Sequence, residues 1–197
     1  MARPGCQTPH VSVDEVWLVR HGETEWSRDG RHTSVTDLPL TDEGEAVAGR
    51  VGERLAGEEF ALVLTSPRLR ARRTAELIGH GDATVDDDIV EWAYGDYEGI
   101  TNAEIRETVP DWTIWTHPAP GGESADQVAE RLDRAIGRLR AVDGRALVVS
   151  HGHALRALAA RWLGLPVTEG RLFRLDTATV SVLAYERGTP VVLHWNS

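Results

Sequence analysis

Two apolar runs in this sequence end on a histidine beside glycine. Asp14 to Val19 leads into Arg20-His21-Gly22, and Arg145 to Ser150 leads into His151-Gly152-His153. A third run, Phe60 to Thr65, gives way to the polar stretch Ser66 through Arg70. Arginine and histidine recurring where buried strands stop point to a shared polar site rather than to a core. A neutral imidazole is a competent nucleophile at phosphorus, and a covalent intermediate divides one hard displacement into two easier ones. The phosphoryl group in flight carries its charge on three equatorial oxygens, so it needs several fixed donors. Arginine supplies planar, paired ones and stays charged at any working pH. A carboxylic acid would then protonate the departing alcohol. Other chemistries are served less well. His151-x-His153 has the spacing of a metal pair, but no aspartate or cysteine block at ligand spacing accompanies it. The Gly-x-x-x-x-Gly-Lys-Ser/Thr loop of a nucleotide binder is absent.

The three runs read as buried strands, each followed by a polar turn and then a helical pattern. Thr41 caps a predicted helix whose first turn holds Asp42 and Glu43, and carboxylates suit the positive end of a helix. Thr101 with Glu104 and Ser124 with Gln127 fit the capping-box pattern. From Ser124 to Arg140 the apolar positions Val128, Leu132, Ala135, Ile136 and Leu139 recur at helical spacing. Near the C-terminus, Thr179 to Glu186 and Pro190 to Trp195 read as two more strands joined by a turn at 187–190. Strands alternating with helices predict an α/β protein, a three-layer α/β/α sandwich with a mostly parallel central sheet. Ligands of such sheets sit beyond the carboxyl ends of the strands, where the histidines fall.

At 197 residues the chain suits one domain, expected over 14–197, after a flexible N-terminal tail at 1–13 that lacks the apolar core of a secretory signal. A single cysteine, Cys6, rules out an internal disulfide. No run approaches the ~20 apolar residues of a membrane span, and a cytoplasmic location is expected. A net charge of -10 argues against nucleic acid or an anionic membrane as partner. A small anion remains compatible with it, because a local arginine cluster outweighs a distant negative surface.

Four blocks together resemble the histidine phosphatase superfamily, the phosphoglycerate mutase-like family. They are RHGET (20–24), TSPRLRARRTA (65–75), DDDIVEWAYGDYEG (86–99) and VVSHGHALRAL (148–158), and DLPLT and GGES are also similar to family blocks. The resemblance implies His21 as the residue that becomes phosphorylated, Arg20, Arg70 and His151 as phosphoryl-binding residues, and Glu91 as the proton donor. It implies that Ser27, Thr33 and Gly152 assist at the phosphate. Trp26, Tyr94, His153 and Arg156 are then expected on the substrate side, with Arg156 gripping a second anionic group. It implies no metal and no cofactor. Two positions depart from the common pattern: Ser27 stands where many members have asparagine, and Ser34 where glycine is common. Ser27 is expected to keep a weaker phosphate contact, and Ser34 to narrow its loop.

The activity so implied is metal-independent phosphomonoester hydrolysis through a phosphohistidine, on a small phosphorylated metabolite such as a sugar phosphate or bisphosphate. The block wording is similar to that of sedoheptulose bisphosphatases and actinobacterial acid phosphatases. Phosphoryl transfer between hydroxyls, as in a phosphoglycerate mutase, is the alternative. Only 29 residues separate Glu91 from Gly121, too few for the segments that enclose mutase sites, and this favours water as acceptor. A non-catalytic phospho-ligand binder is a further alternative, which the retention of all five core residues disfavours. The assembly is open, a homodimer being one state it allows.

Overall fold

Leu18 and Val19, and likewise Ala146 to Val149, are consecutive residues with no exposure, as a strand covered on both faces requires. The structure is a computed structural model and describes residues 13–197. Its sheet has six strands: β1 (Val13–Arg20), β2 (Leu62–Thr65), β3 (Thr84–Val85), β4 (Gly144–Ser150), β5 (Val180–Glu186) and β6 (Thr189–His194). They lie in the order β3-β2-β4-β1-β5-β6. β1, β2 and β3 join this sheet through parallel pairings, β1 and β2 on β4, and β3 on β2. β5 is antiparallel to both β1 and β6, so it alone opposes the other strands of the sheet.

The helices are α1 (Glu25–Arg28), α2 (Asp42–Leu55), α3 (Leu69–Leu77), α4 (Asn102–Arg106), α5 (Ala125–Arg140) and α6 (Gly152–Trp162). Strand periodicity of two sorts the core into layers. Val16, Leu18, Leu64, Ala146 and Val148 pack with Val128 and Leu132 of α5 and Leu155 and Leu158 of α6. Their neighbours Val19, Leu147 and Val149 turn the other way, onto Val51 and Leu55 of α2 and Ala71 and Ala75 of α3. The result is the expected α/β/α sandwich. Thr41, Thr101 and Ser124 accept the expected capping bonds, and the last two complete capping boxes with Glu104 and Gln127. On α5, Val128, Leu132 and Leu139 have no exposure, and truncating one such leucine to alanine typically costs about 2–5 kcal/mol.

Some boundaries differ from the sequence reading. The expected tail at 1–13 lies outside the described residues except for Val13, which is buried and opens β1. Cys6 also lies outside them. Phe60 precedes β2 rather than starting it: its ring meets Trp17 and His80 edge-on, at 5.7 and 5.5 Å between centroids. Among the described residues, no helix is long and apolar enough to cross a membrane.

For function, the decisive feature is the level at which three strands stop. Arg20 pairs with Ser150 and Thr65 with Val149, so the residues that follow emerge side by side. Those residues are His21, Ser66 and His151.

Candidate active site

His21 leaves β1 with its backbone N–H still bonded to the Ser150 carbonyl at 2.9 Å. Its ring Nδ1 lies 2.7 Å from the Gly22 carbonyl oxygen. A carbonyl can only accept, so Nδ1 carries the proton and Nε2 presents a bare lone pair. Burial, reinforced by the positive charges of Arg70 and Arg20, holds this histidine well below its ordinary pKa. The ring is therefore neutral at working pH and armed at one nitrogen. The glycine at position 22 has a steric cause. A Cβ there would stand 2.5 Å from the Gly44 carbonyl oxygen, so this glycine admits the first turn of α2 rather than a ligand. The Gly22 N–H is taken by Thr74 Oγ1 at 3.0 Å, which ties the turn to α3.

Donors converge on the histidine. Arg20 donates through one terminal nitrogen to the Leu175 carbonyl at 2.6 Å. Arg70, without exposure, donates to the carbonyls of Thr36, Thr33 and Ser34 at 3.0, 3.1 and 3.2 Å. Among the described residues, the Nε atoms of Arg20, Arg68 and Arg70 and Nδ1 of His151 are buried without a hydrogen-bond partner. Such groups are costly unless they serve a ligand, and these belong to residues clustered around His21. The His151 and His21 rings lie 5.2 Å apart, edge to face. His151 Nε2 lies 2.7 Å from Ser66 Oγ, which also accepts from the Arg68 N–H at 3.4 Å. Among the described residues the Ser66 hydroxyl has no other acceptor, so its proton goes to Nε2 and Nδ1–H is left as the unpartnered donor. Burial and the Arg70 charge hold His151 well below its ordinary pKa too. Gly152 opens α6, and a Cβ there would press on the Arg20 guanidinium at 3.3 Å.

Glu91 sits on the opposite wall, buried. Its Oε1 accepts from the N–H groups of Trp92 and Ala154 at 2.9 and 2.8 Å, and Oε2 from that of His153 at 3.1 Å. The first turn of α6 thus fixes the carboxyl, with Oε2 the less committed oxygen.

A cavity of about 180 Å³ runs outward from this centre. Its walls include Arg20, His21, Glu91, Thr33, Tyr94, Gly152, His153 and Arg156, as expected, with Ser27 at one side. Arg70 and His151 lie behind its surface rather than on it. Burial pushes the Tyr94 phenol well above its ordinary pKa, so it keeps its proton, and its oxygen hydrogen-bonds with His153 Nδ1, 2.5 Å away. The two rings of the His151-x-His153 pair therefore have separate partners, Ser66 and Tyr94. Arg156 stacks on Trp115, 4.7 Å from the ring centroid, and donates to the Gly170 carbonyl at 3.2 Å. It makes no ion pair with a carboxylate among the described residues.

Three expectations need correction. Trp26 is not on the cavity wall; its ring lies over Gly99, where a Cβ would come within 2.9 Å of it. The Ser27 hydroxyl is committed to the capping box of α1, donating to the Thr24 carbonyl at 3.0 Å and accepting the Thr24 N–H at 2.9 Å. Ser34 does not narrow its loop: it is buried with its hydroxyl 2.5 Å from Glu98. Sequence reading missed His32, Asn102, Arg31 and Leu175 on the cavity wall, and Ser66 as the partner of His151. For Ser66 a signal existed, since it follows its strand where His21 and His151 follow theirs.

A model of the histidine phosphatase superfamily (branch 1) matches residues 16–197. The chain is 45% identical over 175 residues to an acid phosphatase of Mycobacterium tuberculosis, covering 87% of this chain and 86% of that one. It is 41% identical over 183 residues to sedoheptulose 1,7-bisphosphatase of Saccharomyces cerevisiae, covering 76% of this chain and 68% of the other. A solved structure of an open reading frame product from Mycobacterium tuberculosis superposes with a TM-score of 0.89 at 41% identity, over 93% of this chain and 97% of that one.

Proposed function

The chain belongs to the histidine phosphatase superfamily, and on that premise we propose that it is a metal-independent phosphomonoester hydrolase working through a phosphohistidine at His21. One observation carries the reading. His21 presents a bare Nε2 on a neutral ring, beside residues whose buried nitrogens, Arg20 Nε, Arg70 Nε and His151 Nδ1–H, have no other partner. Nε2 attacks phosphorus and the P–O bond to the alcohol breaks, the alcohol oxygen taking the proton from Glu91. The Glu91 carboxylate then removes a proton from water as its oxygen attacks phosphorus. The N–P bond breaks, orthophosphate leaves, and His21 and Glu91 return to their starting states. The arginines and His151 stabilise the equatorial oxygens throughout, which supplies the positive charge the transition state needs.

The proposed substrate is a small phosphorylated metabolite such as a sugar phosphate or bisphosphate. Two named relatives, an acid phosphatase and a sugar bisphosphatase, support that class. Arg156, stacked on Trp115 without a carboxylate partner, is the proposed grip on a second anionic group. Brief incubation with 32P-labelled substrate should give acid-labile label on the wild type and none on His21→Ala. Release of free orthophosphate, unaffected by a chelator, distinguishes hydrolysis from transfer to a second hydroxyl. Equal labelling of His21→Ala, or restoration of a chelated enzyme by zinc or magnesium, would overturn the assignment.

A further inference from the structure

We propose that His32 and Asn102 form the specificity-determining pair of this site and read a hydroxyl on the leaving group, so that the preferred substrate is the phosphate ester of a polyol. The inference rests on the phosphatase reading and adds to it what the outer wall selects. Glu91 marks where the ester oxygen departs, and the carbon skeleton attached to that oxygen must extend past it along the cavity. Beyond Glu91 come His153, whose N–H bonds to Glu91 Oε2, and then the His32 ring, 6.1 Å from that of His153 and 4.5 Å from that of Tyr94. His32 Nε2 lies 3.1 Å from Asn102 Oδ1, and both residues line the cavity.

That bond fixes the chemistry of the pair. The amide oxygen accepts, so His32 Nε2 holds the proton and Nδ1 is a bare acceptor. The Asn102 NH2 group remains a donor beside it. A hydroxyl is both donor and acceptor and satisfies both through one atom, whereas a carboxylate or ketone offers nothing to Nδ1, and an alkyl or aryl group satisfies neither. Burial lowers the pKa of His32, which keeps Nδ1 an acceptor and the pair uncharged. The wall is also stiff. The His32 N–H bonds to the Ile100 carbonyl at 3.0 Å, the Gly99 N–H to the His32 carbonyl at 2.8 Å, and Arg31 bridges to Thr101. Stiffness matters because a fixed polar pair rejects a group that cannot pair with it far more strongly than a mobile one does.

The test compares two phosphate esters of equal carbon count, ribitol 5-phosphate and pentyl phosphate, by kcat/KM. The wild type is expected to favour ribitol 5-phosphate roughly ten-fold or more. That ratio should fall at least about five-fold in Asn102→Ala, an exposed position at the start of α4, and in His32→Phe, which retains a ring. A global loss of fold or of catalytic power would lower both esters together and leave the ratio standing. An unchanged ratio in either variant therefore overturns the proposal. A wild-type ratio near one, with both esters hydrolysed, overturns it while the phosphatase reading stands. Failure to hydrolyse either ester or para-nitrophenyl phosphate overturns both.

Discussion

Lowering the pH from 7.5 to 5.5 should destabilise this protein steeply, because its fold buries histidines that must stay neutral. His21, His151 and His153 are each held well below their ordinary pKa, by burial first and then by neighbouring positive charge. In the unfolded chain the same rings titrate near 6.5. Below that pH the unfolded state binds protons that the native state refuses, so the stabilisation is intact above 6.5 and drains away as pH falls toward the lower folded values. Each buried ring loses at most about 1.4 kcal/mol by pH 5.5, so His21 and His151 together account for up to about 3 kcal/mol. His153 is less buried than either and adds less. Against a typical total of about 5–15 kcal/mol, this is a large share. Urea unfolding at pH 7.5, 6.5 and 5.5, with unchanged m-value, measures it. Replacing His21 or His151 by glutamine should each remove up to about 1.4 kcal/mol of the pH dependence. A wild-type stability that varies by less than about 1 kcal/mol over this range would refute the claim that these rings stay neutral in the fold.

Glu91→Gln should slow alkyl phosphates by a factor of roughly 100 or more while slowing para-nitrophenyl phosphate far less, because the activated phenol departs without a proton; equal losses would remove Glu91 from the acid role. Ser66→Ala should lower kcat by roughly ten-fold or more through loss of the bond that turns the His151 proton toward the phosphoryl pocket, and Ser66→Thr, which keeps the hydroxyl, should recover most of it. Full activity in Ser66→Ala would show that the tautomer is set elsewhere. Arg156→Ala should raise KM for a sugar bisphosphate relative to that for the matching monophosphate by roughly ten-fold or more, which steady-state kinetics with the pair would reveal. An unaltered ratio would assign Arg156 to packing on Trp115.

The candidate centre was legible because its residues follow the ends of apolar strands, and strands are short, periodic and local. Arg20, His21 and His151 follow from that pattern and from the family blocks together, and the paired strands bring them level. What escaped was set by contacts between distant segments. Trp26 reads equally well as a substrate wall or as packing until Gly99, 73 residues on, is seen beneath its ring. Ser27 looks available until its capping box is seen, although Thr24 three residues earlier is a local cue for it. Nothing local to Gly22 shows that its missing side chain makes room for the Gly44 carbonyl. His32 and Asn102 lie in unremarkable loop and helix-start sequence, and only the backbone bonds between 31–32 and 99–101 bring them together.

The loop from Thr33 to Thr36 is grasped from two sides by its main chain. Arg70 donates to the carbonyls of Thr33, Ser34 and Thr36, and the Glu98 carboxylate accepts the N–H groups of Ser34 and Thr36. A tether made to peptide groups is largely indifferent to the side chains hung on them, and Val35, 57% exposed, has none of these bonds to keep. A substitution at Val35 should therefore leave the loop's shape in place. Arg70 and Glu98 hold no such freedom: a change at either would release a segment bordering the active site.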